Sequence, residues 1–224
     1  MSNRAKISLR LQKIAEMVRH PSVVDVGTDH AMLPVFLAQQ NVANKILATD
    51  VNAGPLASAS ANIAAYGMSD AIRTKLCDGL DGVTPGEYDT CIIAGMGGRL
   101  IIRILEQNIE TMRCFKQLIV SPQRHAEEVR RFLHTSGFYI SDEVMMEESG
   151  KFYNILDCSP GHEPPYDDLG YLFGRILMQR KDEVLKKYAL EEEQRTKAIN
   201  RPELNKYLQY CAEVLKCLSK CVEL

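Results

Sequence analysis

The segment from Val23 to Asp50 constrains the fold more than any other part of the chain. It reads Val23-Val24-Asp25-Val26-Gly27-Thr28-Asp29-His30-Ala31, then an apolar run, then Lys45-Ile46-Leu47-Ala48-Thr49-Asp50. A short apolar strand, a glycine turn, a helix and a second strand ending in an acid form the opening unit of a doubly wound α/β domain. Such domains bind a nucleoside at the carboxyl ends of their strands. Asp25, Asp29 and Asp50 are expected at one rim of the sheet, with Asp78 joining them from a third strand. Clustered carboxylates repel a diphosphate and attract a cation.

The turn itself excludes the commonest nucleotide ligands. A dinucleotide fingerprint, G-x-G-x-x-G, brings backbone against a pyrophosphate at a helix N-terminus. Here only Gly27 is present; Asp29 and Met32 stand at the second and third glycine positions. An acidic side chain where the diphosphate would sit argues against NAD or FAD. S-adenosylmethionine carries a sulfonium, an ammonium and one carboxylate, and no phosphate. Aspartates can hold its ammonium directly or through water. Asp50 lies 23 residues past Gly27, close to the spacing of an acid that grips ribose hydroxyls. Asp78-Gly79 ends the third strand, where an acid accepts from an adenine amino group or merely makes a turn. Ala94-Gly95-Met96-Gly97-Gly98 follows the fourth strand beside the topological switch point, where glycines allow close approach of a ligand or of a packed helix. Arg99 and Arg103 share a helix face, suited to phosphates or to solvent.

Helix and strand periodicities alternate to about residue 160. Helices are expected over 7–18, 31–40, 55–66, 99–106 and 122–135, with Pro55 and Pro122 in first turns. Strands are expected over 22–26, 45–50, 71–77, 89–94, 117–121, 138–146 and 151–158. The last two flank Glu148-Ser149-Gly150 and form an antiparallel pair at the sheet edge. A linker of Pro160-Gly161, Pro164-Pro165 and Asp167-Asp168 then divides residues 1–160 from a helical domain over 161–224. In that domain Leu204, Leu208, Cys211, Leu215, Leu218 and Val222 form an apolar seam facing a partner helix over 169–193, with Asn200-Arg201-Pro202 as the turn.

The charge balance of −2 announces no nucleic acid, but residues 1–20 hold Arg4, Lys6, Arg10, Lys13 and Arg19 against Glu16 alone. That basic stretch suits a polyanion or a solvated helix face. Seven cysteines without a C-x-x-C pair argue against a metal site or a disulfide framework and fit a reducing, cytoplasmic setting. No membrane span or signal peptide is expected.

The chain resembles the bacterial tRNA (adenine-22 N1)-methyltransferases, the TrmK family. The resemblance is carried by Ser8-Leu9-Arg10-Leu11, by Asp25 to Pro34, by Gly54-Pro55 and Asp78-Gly79-Leu80, by Ile93 to Gly98 and by Glu148 to Tyr153. Met32 departs from it, since family members often carry an aromatic residue there. The resemblance implies a Rossmann-type class I methyltransferase domain with a coiled-coil-like helical tail, S-adenosyl-L-methionine as cofactor and tRNA as substrate. It assigns Asp29 to catalysis or to holding the cofactor. His30 would orient Asp29 or touch the cofactor, and Arg10 would take the cofactor carboxylate. Asp25, Gly27, Asp50, Asp78, Gly79, Gly95 and Met96 complete the cofactor site. Arg4, Lys6, Arg99 and Arg103 are the expected phosphate contacts. A methyltransferase for another substrate and a non-catalytic RNA-binding module remain alternatives, and the oligomeric state is open.

Overall fold

The computed structural model describes residues 4–199 and 201–219. Val222 and Asn200, placed above in the seam and the turn, lie outside the described residues. The chain begins with α1 (Leu9–Met17), capped by the Ser8 hydroxyl, which accepts from the Leu11 amide at 3.3 Å. There follow β1 (Ser22–Val26), α2 (Met32–Gln39), β2 (Lys45–Asp50), α3 (Ala53–Ala65), β3 (Ile72–Leu76) and β4 (Thr90–Met96). Then come α4 (Gly98–Gln107), a short α5 (Ile109–Arg113), β5 (Gln117–Pro122), α6 (Ala126–Thr135), β6 (Phe138–Glu148) and β7 (Lys151–Pro160).

The seven strands lie in the order β3-β2-β1-β4-β5-β7-β6. The first five are parallel, while β7 runs antiparallel to both β5 and β6. The expected edge pair is thus present, with the later strand inserted inside the earlier one. Parallel strands need cover on both faces, which explains their near-continuous apolar runs. Val24, Val26, Cys91 and Ile93 face a core completed by α4 and α6. Val23, Ile46, Ala48 and Ile92 face a second core completed by α1, α2 and α3.

Pro122 departs from expectation. It is the last residue of β5, opposite Met96, and the helix starts four residues later at Ala126. The strand continues because Met96 extends β4 past a register shift at Gly95 and keeps a partner there. Residues 123–125 therefore form a loop, with His125 left-handed at φ 60°.

The tail is also divided more finely than its periodicity suggests. A π-helical turn (Gly170–Gly174) leads to α7 (Arg175–Gln179), then α8 (Glu183–Ile199), a 3₁₀ turn (Pro202–Leu204) and α9 (Asn205–Ser219). The single expected helix breaks at Arg180–Asp182, where Asp182 accepts from the Leu185 amide at 2.8 Å and caps α8. On α9 the buried face is Cys211, Val214 and Leu218, with Tyr207 partly buried beside them; Leu204 and Leu208 stand outside that core. This third core includes Met145 and Phe152 from the hairpin tip, so the tail packs onto β6–β7. Behind the junction, the fully buried Arg130 pairs with the fully buried Glu143 and donates to the Tyr171 carbonyl at 2.6 Å and the Leu172 carbonyl at 3.3 Å.

Candidate active site

The topological switch lies between β1 and β4, and a cavity of about 350 Å³ opens there. Arg10, Asp25, Gly27, Asp29, His30 and Gly95 all line it. The sequence reading placed these six together, and the fold does so by packing α1 beside α2 and the β6–β7 hairpin, from where Arg10 reaches the Gly95 turn.

The turn between β1 and α2 is shaped by hydrogen bonds to its neighbour strand. The Gly27 and Thr28 amides both donate to the Thr49 carbonyl, at 2.8 and 2.9 Å. Gly27 has φ +70°, and a Cβ there would collide with the Met96 methyl. Asp29 and Ala31 also adopt left-handed conformations, at φ 52° and 55°. Such conformations cost an L-residue about 1 kcal/mol or more each. Asp50 helps hold them, since its Oδ2 accepts from the Asp29 amide at 3.3 Å while Oδ1 accepts from the Asn52 amide at 2.8 Å. Each oxygen keeps a lone pair for a further donor, as ribose recognition requires.

Asp25 sits at the bottom of the cavity and is buried, with the Thr28 hydroxyl donating to it at 2.6 Å. Burial pushes its carboxyl up to about 6, against the Thr28 bond; the charge of Asp50 adds to the rise. A cation entering the cavity would reverse that. Asp29 is different: its side chain is 71% exposed, and Oδ1 lies 3.6 Å from His30 Nε2, also exposed. Its carboxylate is therefore available above the cavity. The Arg10 guanidinium lies 5.2 Å from the Tyr153 ring centre, and its Nη1 is buried without a hydrogen-bond partner. Arg10 lines the cavity, and a cationic side chain with an unsatisfied donor is a place for a carboxylate.

The other expected residues fall elsewhere. Asp78 stands exposed on the adjoining rim, with Arg103 at 3.8 Å. Gly79 is buried, and a Cβ there would strike Ile104, so it shapes the turn that presents Asp78 and does not line the cavity. Met96 packs under Gly27 as flooring. Arg99 is not a free cation, because its guanidinium makes a bidentate pair with Glu128, at 2.8–3.2 Å. Arg4 and Lys6 are exposed but flank Ala5, whose amide donates to Gln39 Oε1 at 2.9 Å, at the end of α2 away from the cavity. Val51 and Leu76, exposed apolar residues after β2 and at the end of β3, were not singled out from sequence; they offer an apolar wall beside Asp50 and Asp78.

A second, larger cavity of about 1000 Å³ lies between the 123–125 loop with the start of α6, the hairpin tip and α8. Its lining includes Arg124 and Lys151, exposed cations for which no side-chain partner occurs among the described residues, and Tyr153. Gln123 lines both cavities.

The donor set fits S-adenosylmethionine: a buried acid for an ammonium, an unsatisfied guanidinium for a carboxylate, and a ribose-type acid beside an apolar wall. Strand order and cavity together define a class I methyltransferase. A methyltransferase-domain family model matches residues 7–156. The tRNA (adenine(22)-N(1))-methyltransferase of Bacillus subtilis (strain 168) is 35% identical over 203 residues, 88% of this chain and 85% of that protein. The crystal structure of B. subtilis TrmK, a tRNA methyltransferase, superposes with a TM-score of 0.83 at 31% identity, covering 96% of this chain and 98% of that one. A Streptococcus pneumoniae structure in complex with S-adenosyl-L-methionine gives 0.89 at 32% identity, covering 94% and 100%. The chain belongs to the TrmK family of tRNA (adenine(22)-N(1))-methyltransferases.

Proposed function

We infer that this protein methylates N1 of adenine 22 in tRNA, using S-adenosyl-L-methionine. The observation that carries the reading is the acid-lined donor cavity sharing Gln123 in its lining with a neighbouring cleft large enough for an extruded nucleotide. When bound, the donor supplies a methyl group on a sulfonium sulfur; the N1 lone pair would bond to that methyl carbon, the C–S electron pair would leave with the thioether sulfur, and the positive charge would pass to the adenine ring.

N1 lies on the pairing edge of the base, so the nucleotide must leave its stack to be reached. Its lone pair is already free, and no strong base is needed. Arg10 Nη1 receives the cofactor carboxylate, Asp25 the ammonium, Asp50 the ribose hydroxyls and Asp78 the adenine amino group. Asp29 holds its exposed carboxylate where the acceptor ring becomes cationic and stabilises that charge as it develops. His30, 3.6 Å away, orients it. Arg124 and Lys151 take phosphates of the incoming strand, with Arg4 and Lys6 as more distant contacts. A tRNA substrate fits a cytoplasmic activity. No described helix is long and apolar enough to cross a membrane.

Incubation of the protein with unmodified tRNA and labelled donor, followed by mapping of the methylated nucleotide, tests the reading; label at any other position, or none, overturns it. Asp29→Ala should retain cofactor affinity within a few-fold by calorimetry while methyl transfer falls by about 10²–10³-fold. Unchanged turnover would remove Asp29 from the chemistry.

A further inference from the structure

Gln123 occupies a position that the reaction needs and that the cofactor site leaves unexplained. It alone is common to the linings of the donor cavity and the larger cleft. A methyl group held in one and a base arriving through the other would both border this residue.

The backbone at this point is fixed while the side chain is free. The Gln123 amide donates to the Met96 carbonyl at 2.8 Å, and the carbonyl of Arg124 accepts from the Gly98 amide at 2.9 Å. Pro122, just before, is locked into β5. The Gln123 side chain is exposed and makes no hydrogen bond among the described residues. A carboxamide offers one acceptor and a pair of donor hydrogens in a plane.

We propose that Gln123 selects the acceptor base, accepting from adenine N6–H through Oε1 and donating to N7 through Nε2. This rests on the N1-methylation reading given above. The chemistry favours this edge: N1 must stay unbonded to face the methyl, so recognition moves to N6 and N7, the pair a glutamine side chain reads bidentately in nucleic acids. Guanine presents two acceptors, O6 and N7, to the same carboxamide and leaves one donor–acceptor match unmade. The residue thus excludes guanine from a pocket whose remaining contacts are to charge and shape.

The test is a cycle of two proteins and two substrates. Wild type and Gln123→Ala are each assayed on tRNA bearing adenine or 7-deazaadenine at position 22; the latter replaces N7 by C–H. Cofactor affinity and thermal midpoint are measured alongside. Gln123→Ala should lower kcat/KM on ordinary tRNA by about 10–100-fold, the discrimination carried by a bidentate base contact, with cofactor affinity and midpoint unchanged. The deaza substitution should lower wild-type kcat/KM about tenfold beyond its effect on the variant. The same loss in both proteins overturns the N7 contact, and full activity of Gln123→Ala overturns the role altogether. Wild type that methylates no adenine 22 defeats the functional reading itself, and the proposal falls with it; wild type that methylates position 22 without the coupling defeats the Gln123 proposal alone.

Discussion

Asp25→Asn should make the empty protein more stable and the enzyme worse. The folded-state carboxyl of Asp25 rises from an ordinary 3.8 to about 6, chiefly through burial. A raised folded pKa means that the folded state binds the proton more tightly than the unfolded chain. Stability is then undiminished below pH 3.8, falls as pH rises from 3.8 to 6, and stays reduced above that. At about 1.4 kcal/mol per pH unit, the ionised side chain costs on the order of 1–3 kcal/mol at pH 7, the upper figure being the full shift. Asparagine keeps an oxygen for the Thr28 hydroxyl and carries no charge. Urea denaturation of both proteins without ligand should give matching midpoints near pH 4 and a more stable variant at pH 7. Calorimetry at pH 7 should show weaker cofactor binding by the variant, and wild-type affinity should fall as pH drops below about 6. A variant less stable than wild type at pH 7, with affinity intact, would refute the view that the carboxylate is held at a folding cost to meet a cation.

Arg130→Met should destabilise by about 3–5 kcal/mol, because it strands the buried Glu143 carboxylate. Adding Glu143→Leu should recover about 1–2 kcal/mol in chemical denaturation. Gly98→Ala puts a Cβ 2.6 Å from the Arg124 carbonyl and 2.8 Å from that of His125, both backbone atoms. It should cost about 1–3 kcal/mol in thermal stability and reduce tRNA turnover more than cofactor affinity, since the displaced loop carries Gln123.

The cofactor half of the site was legible because its determinants are local. Gly27, Asp29 and Asp50 announce themselves through spacing, and the parallel strands fix where such spacing leads. The proposed acceptor half was hidden behind Pro122, which reads as a helix start until a strand partner at Met96 is known. That reading absorbed residues 123–125 into a helix and concealed Gln123. The pairing of Arg99 with Glu128 spans 29 residues and leaves no periodic trace. On α9, Leu208 with Leu215 and Tyr207 with Val214 both satisfy a spacing of seven; only packing against α8 and the hairpin tip chooses between them. The break before α8 had a visible signal in Asp182, three residues ahead of Leu185, but it lay within a run of charges that favours continuous helix.

The hairpin that ends the sheet also sets an order of assembly. Strand β7 meets β5 through Leu118, Ile119 and Val120, whereas its register with β6 runs from Phe138–Pro160 to Glu148–Lys151. Neighbouring segments with so many mutual pairs close quickly, and distant pairings wait on them. Low contact order favours closure of the hairpin over its pairing with β5, and the closed ribbon presents Met145 and Phe152 together as the surface on which the tail helices pack.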